Sequence, residues 1–324
     1  MPTPAADAPP VAPRVSVVDR LDPALDALVS VDAPLERLAG GFDWSEGPVW
    51  RKSERYLLFS DVPKNTIYRW RDGEGLSVFL RPAGYTAPNP PGRELGSNGL
   101  AFDPSDRLVM ADHGNRRIAR VDESNFTTTT LADRYEGKRL NSPNDLVYSS
   151  RGDLYFTDPP YGLAGQHGDP AKELPFAGVY RLSAAGELTL LERDLRFPNG
   201  IALSPDERTL YVANSDAERA IWMAYDVAPD GSVSSGRVLF DATPLARAGK
   251  KGLPDGLALD AGGNLFATGP GGVLVLTPEG RHLGTIVTGD AAANCAFGDD
   301  GSSLYITAHM HLARMRVRTR GAGF

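Results

Sequence analysis

The sequence predicts an all-β chain folded as a six-bladed β-propeller with four-stranded antiparallel blades, and three observations carry that expectation. A turn motif recurs six times, at Glu46-Gly47, Asn98-Gly99, Asn144-Asp145, Asn199-Gly200, Asp255-Gly256 and Ala293-Asn294, roughly 40 to 55 residues apart. After each motif comes an apolar run, a Gly/Asp/Ser turn and a second strand rich in β-branched and aromatic residues, at 56–59, 108–111, 154–157, 210–213, 265–268 and 304–307. The last unit is one strand short, ending at 312–317, while Leu35-Glu36-Arg37-Leu38 is a spare strand ahead of the first motif. Pairing the two closes the ring and removes an open edge.

Taken in order, residues 2–13 form an Ala/Pro segment with no apolar stretch to pack, which reads as an extended arm. Leu21, Leu25 and Leu28 then fall at helical spacing, predicting a short helix within 19–28. Residues 1–33 are accordingly assigned to the arm and helix, 34–318 to one propeller domain and 319–324 to a tail. Third strands such as Thr66-Ile67-Tyr68-Arg69-Trp70 and fourth strands such as Leu188-Thr189-Leu190-Leu191 complete the units. The 35 glycines and 26 prolines, spread along the chain, suit many short strands and tight turns.

Bulk properties narrow the function. A net charge of −7 argues against a general nucleic-acid binder, and no apolar run is long enough to span a membrane. Cys295 is the one cysteine, so no intrachain disulfide forms. The first residues lack the apolar region of a secretory signal, so a cytoplasmic location is expected, or a periplasmic one if a leader was removed. Oligomeric state is left open.

In a propeller the first strand of each blade lines the central channel, and the six motifs stand where a fourth strand crosses to the next first strand. Rotational symmetry therefore gathers Glu46, Asn98, Asn144, Asn199, Asp255 and either Ala293 or Asn294 around the axis at one end. The loops 81–96, 112–117, 159–177 and 214–218 open on the same face, which makes it the expected binding face. Two carboxylates and several amide oxygens around a narrow axis suit a hard divalent cation such as calcium, whereas zinc recruits His or Cys, absent from the ring. Asn-Gly and Asp-Gly are also turn dipeptides for backbone reasons alone. Glu has no such preference, so Glu46 needs another reason to fill its slot.

A dication there could polarise a carbonyl or phosphoryl oxygen, with Asp255 as general base, as nucleophile, or as a ligand only. Gly-x-Ser-x-Gly, phosphate-loop and dinucleotide fingerprints are missing from suitable contexts. Asn98, His113, Arg139 and Tyr161 are candidate substrate contacts on the active face.

Several stretches resemble a known family: Ser45-Glu46-Gly47-Pro48-Val49-Trp50, Gly137-Lys138-Arg139-Leu140-Asn141-Ser142-Pro143-Asn144-Asp145-Leu146, Tyr155-Phe156-Thr157-Asp158-Pro159-Pro160-Tyr161-Gly162, Pro198-Asn199-Gly200 and Leu253-Pro254-Asp255-Gly256. Together they are similar to the SMP-30/gluconolactonase/luciferin-regenerating (LRE)-like group, in its bacterial gluconolactonase branch, from about Leu21 to Val317. The resemblance implies that Glu46, Asn144, Asn199 and Asp255 hold a catalytic divalent cation, usually calcium, with Zn2+, Mg2+ or Mn2+ as other candidates. It also implies that Asp255 serves as base or nucleophile in opening a sugar lactone such as glucono-1,5-lactone. The animal branch has arginine at the position of Ser142, and His309 stands where a smaller residue is expected, so substrate contacts do not transfer from that branch. Two other readings of the same ring are a phosphotriester hydrolase and a non-enzymatic interaction platform with a structural ion.

Overall fold

A computed structural model describes residues 17–90, 92–234 and 236–324; the Ala/Pro segment 2–13 lies outside them. Among the described residues the strands form six antiparallel blades around a common axis, with a separate two-stranded hairpin of Arg134–Tyr135 and Lys138–Arg139. Blade one, for example, comprises Ser45–Arg51, Tyr56–Asp61, Thr66–Arg71 and Gly75–Leu80, and blade four Pro198–Leu203, Thr209–Asp216, Arg219–Asp226 and Arg237–Asp241. The second strands are the most apolar and the most buried: Tyr56–Asp61, Leu108–Asp112 and Leu154–Asp158 are buried at every position. They sit between faces of neighbouring blades, so apolar clusters fill each interblade gap. Tyr155, for instance, packs with Ile201, Val212 and Met223 of the next blade.

Blade six closes as expected. Leu35–Gly40 pairs with His311–Arg316, placing Leu35 opposite Met315 and Gly40 opposite His311. Arg314 reinforces the seam, its guanidinium 3.0 Å from Glu36 and 2.7 Å from Asp72 of blade one. The described residues just before this strand, 17–34, pack onto the propeller. Val18–Arg20 adds a fifth strand to blade five, with Val18 opposite Ile286. The expected helix contracts to a 3-10 turn, Pro23–Ala27, whose Asp22 caps it by accepting a bond from Ala24 N at 2.8 Å. Leu25 and Val29 are buried against blades five and six, but Leu21 is 57% exposed, because the pairing ending at Arg20 leaves it in the connection. The last residues cross the far end of the channel: Thr319 donates to Asp260, and Ala322 N donates to Leu259 O. Among the described residues no helix is long and apolar enough to cross a membrane.

The motif residues are re-aimed by β-bulges. Register slips between first and second strands between Glu46 and Val49, Ser97 and Leu100, Pro198 and Ile201, and Ala292 and Asn294. A bulge bends the strand and turns a side chain out of the regular alternation. In blades three and five the motif residue precedes the strand, held by Asn144 N to Thr157 O at 2.8 Å and Asp255 N to Thr268 O at 2.9 Å. The glycines that follow have a different purpose from the one a turn dipeptide suggests. Gly200 and Gly256 are not left-handed. A Cβ at Gly200 would collide with the carbonyl of Asp255, and one at Gly256 with the side chain of Asn294. Glycine is needed there because the next blade, backbone at Gly200 and the Asn294 side chain at Gly256, passes too close for any side chain.

Candidate metal centre

The five polar motif residues meet in one cavity of about 380 Å³ at the end of the axis. Glu46, Asn98, Asn144, Asn199 and Asp255 line it together with Trp44, Glu94, Tyr161, Ser215 and Leu253. The sixth position differs from both candidates: Ala292 lines the cavity. Asn294 faces the channel below, where its Oδ1 accepts the N–H of Cys295 at 2.8 Å. Blade six thus contributes no polar side chain to the ring.

Hydroxyl groups on second strands latch the turns of the following blade. Ser60 donates to Asn98 O at 2.8 Å, Thr157 to Asn199 O at 2.7 Å, and Thr268 to Ala293 O at 2.8 Å. Ser215, which the sequence reading passed over, accepts a bond from Asn199 Nδ2 at 3.0 Å and donates to Pro254 O. With its NH2 engaged there, the Asn199 amide leaves its oxygen for the cavity. The same hydroxyl ties Asn199 to the residue before Asp255.

Burial and mutual repulsion oppose ionisation of the ring carboxyls. Burial, reinforced by the charges of Asp145 and Glu94, pushes Glu46 from 4.5 up to about 8, although its oxygens accept bonds from Trp44 Nε1 at 3.2 Å and Gly47 N at 3.1 Å. Burial also raises Asp255 well above the carboxylate range, helped by the charges of Glu46 and Asp145. Asp145, beneath the ring, is pushed up to about 6 by burial, against bonds accepted from Leu146 N and Ile201 N. Among the described residues, Asn98 Oδ1 and Asp255 Oδ1 are buried with no hydrogen-bond partner. Buried acceptors rarely stay unsatisfied. A dense group of oxygens, two carboxyls short of charge compensation and two orphan acceptors, is what a hard cation would complete. Among the described residues no group of three or more His, Cys, Asp or Glu side chains could hold an ion. The amide oxygens are therefore essential to such a donor set.

The other candidates separate. Tyr161 lines the cavity, stacked on Phe197 with ring centroids 5.4 Å apart, and burial raises its hydroxyl's pKa. Ser142 holds that loop: its hydroxyl donates to Pro159 O at 2.5 Å and accepts from Gly162 N at 2.9 Å. Ser142 is thus a buried loop anchor. His113 is fully buried and is not among the cavity-lining residues; Arg139 bonds Asn115 O at 2.8 Å and is likewise not among them. His309 packs its ring edge against Trp44 at 5.2 Å, bracing the cavity wall. Glu94, from the long 81–96 crossing, lines the cavity and was not anticipated.

Comparison with known proteins agrees with this architecture. A family model for the SMP-30/Gluconolactonase/LRE-like region matches residues 44–310. A gluconolactonase of Zymomonas mobilis is 44% identical over 313 residues, covering 95% of this chain and 88% of its own. The solved gluconolactonase of Xanthomonas campestris superposes with a TM-score of 0.80 at 34% identity, over 95% of this chain and 98% of that one. A calcium-binding regucalcin of Agrobacterium tumefaciens shares the fold, with a TM-score of 0.69 at 20% identity over 90% of this chain and 96% of its own. Matched over most of its length by the family model and by a relative at this identity, the chain belongs to the SMP-30/gluconolactonase/LRE-like family.

Proposed function

We propose that the protein is a calcium-dependent lactonase that opens a sugar lactone such as glucono-1,5-lactone. The observation that carries this reading is the buried donor ring at the floor of an open cavity, with Asp255 Oδ1 unpartnered beside Glu46. Family membership supports lactone hydrolysis as the reaction class, and the calcium-binding fold relative supports a divalent ion. Glu46, Asn144, Asn199 and Asp255 would hold the cation. When bound, a divalent cation supplies Lewis acidity toward a carbonyl oxygen and compensates the charge of the ring carboxylates.

The chain's own groups do the rest. Asp255 takes a proton from the attacking water as the oxygen adds to the lactone carbonyl carbon. The ring C–O bond then breaks, its oxygen leaves as a hydroxyl after receiving a proton, and a hydroxy acid is released. Tyr161, kept protonated, can donate a hydrogen bond to the bound substrate. Trp44 and Tyr161 offer aromatic faces to the carbon skeleton of a sugar ring.

Acid release followed in a pH-stat tests the reaction class. Glucono-1,5-lactone should be hydrolysed well above the spontaneous rate and a phosphotriester far more slowly. The reverse order would favour the phosphotriesterase reading, and no turnover on any lactone would favour an interaction platform.

The raised carboxyls predict a pH effect on the ion. In the metal-free site Glu46 holds a proton below about pH 8, so a cation must displace it. Apparent calcium affinity should therefore rise about tenfold per pH unit between pH 6 and 8 for each proton released. Stability runs the other way without metal. The folded state binds more protons than the unfolded chain between 4.5 and about 8, so metal-free stability falls as pH rises through that window, by up to about 1.4 kcal/mol per unit and proton. Calorimetric titrations at three pH values, with melting curves in chelator, measure both; pH-independent affinity would contradict the assignment of Glu46 as a ligand.

A further inference from the structure

Glu94 belongs to none of the repeated motifs, yet the fold delivers its side chain to the cavity with about one-third of it exposed. The crossing that carries it is tightly pinned. Tyr85 N donates to Leu95 O at 2.8 Å, and Gly96 N donates to Val62 O at 2.9 Å. A Cβ at Gly84 or at Gly114 would collide with the carbonyl of Leu95, so two glycines let the crossing close against the 112–117 loop. That closure sets His113 directly behind Glu94, with Nδ1 2.9 Å from Oε2. The angle of this contact falls short of a hydrogen bond, and among the described residues neither ring nitrogen of the fully buried His113 has another partner. The Glu94 carboxyl is thus the polar group available to His113, and the histidine is fixed by burial.

A carboxylate facing the cavity is an acceptor of hydrogen bonds only. Substrate hydroxyl groups would replace the water it loses on binding, whereas a ring bearing hydrogens alone would leave it dry and unpaired, a cost that discriminates strongly between otherwise similar ligands. The aromatic walls at Trp44 and Tyr161 provide the complementary apolar contact.

We propose that Glu94, positioned by His113, accepts hydrogen bonds from substrate hydroxyl groups and so selects polyhydroxylated lactones over lactones with unsubstituted rings. The assignment rests on the lactonase reading above. Its test is the kinetics of wild type, Glu94→Gln, Glu94→Ala and His113→Gln, with calcium present, on glucono-1,5-lactone and on δ-valerolactone, a ring of the same size without hydroxyl groups. Glu94→Ala should lose about 10- to 100-fold in kcat/KM on the hydroxylated lactone, mainly through KM. Its rate on δ-valerolactone should equal or exceed that of wild type, because no carboxylate is then left dry against the bare ring. Glu94→Gln, which keeps one acceptor oxygen, should lose less, and His113→Gln should show the same selective pattern in weaker form. Equal losses on both lactones, or no loss on either, would overturn the assignment. A wild-type enzyme inactive on both would instead sink the lactonase reading and this role with it. Because Glu94 is loop-borne and partly exposed, its variants should melt within about 2 °C of wild type, so the selectivity is read on folded protein.

Discussion

Asp255→Asn should reduce kcat on a sugar lactone by at least about a thousandfold while the propeller stays folded. Asparagine is nearly isosteric with aspartate, and the backbone bonds that seat the residue, Asp255 N to Thr268 O and Gly256 N to Ala293 O, do not involve the side chain. What is removed is the proton acceptor and one of the two formal charges in the ring. Because the change also weakens cation binding, rates should be compared at saturating calcium, with binding measured separately. A variant that binds calcium yet turns over within about tenfold of wild type would show that another group activates water. The melting curve offers an independent check: deleting a buried carboxyl should raise metal-free stability above neutral pH, since Asp255 is penalised mainly by burial.

Glu46→Gln should act on the ion first. The amide keeps an acceptor for Trp44 Nε1 but halves the formal charge of the ring. Calcium affinity should fall by about 100-fold or more, and activity should return in part when calcium is raised. Thermal melts separate this from a packing defect. In chelator at pH 8 the variant should melt at or above the wild-type temperature, because the wild type must ionise a buried carboxyl there. The gain in melting temperature on adding calcium should largely vanish. A calcium-induced shift as large as in wild type would remove Glu46 from the donor set.

Much of the fold and of the ring is legible in the sequence. Repetition alone places residues in a rotational array, so Glu46, Asn98, Asn144, Asn199 and Asp255 could be gathered at one end of an axis without knowing a single distance. The closing strand was readable from a missing strand at one end and a spare one at the other. Details that depend on contacts between blades were not. The glycines after Asn199 and Asp255 look like turn residues, yet close approach of the next blade makes them necessary. Nothing local marks Ser215 as the group that orients Asn199, because its partner lies 16 residues away in an adjacent strand. His113 reads as a loop residue and is fully buried, since the long crossing folds over it. The same crossing, rich in proline and without periodicity, hides Glu94. Leu21 failed for a simpler reason: Val18–Arg20 is recruited into blade five, which overrides a helical pattern only three leucines long.

Under the proposed function the donor ring holds a divalent ion on which lactone hydrolysis depends. The most direct test is to strip the protein with a chelator, verify metal removal by elemental analysis, and follow glucono-1,5-lactone hydrolysis before and after adding calcium. Turnover should fall near background in the stripped protein and recover on calcium addition, with Glu46→Gln needing far more calcium to recover. Full lactone hydrolysis by protein proven free of metal would contradict this dependence.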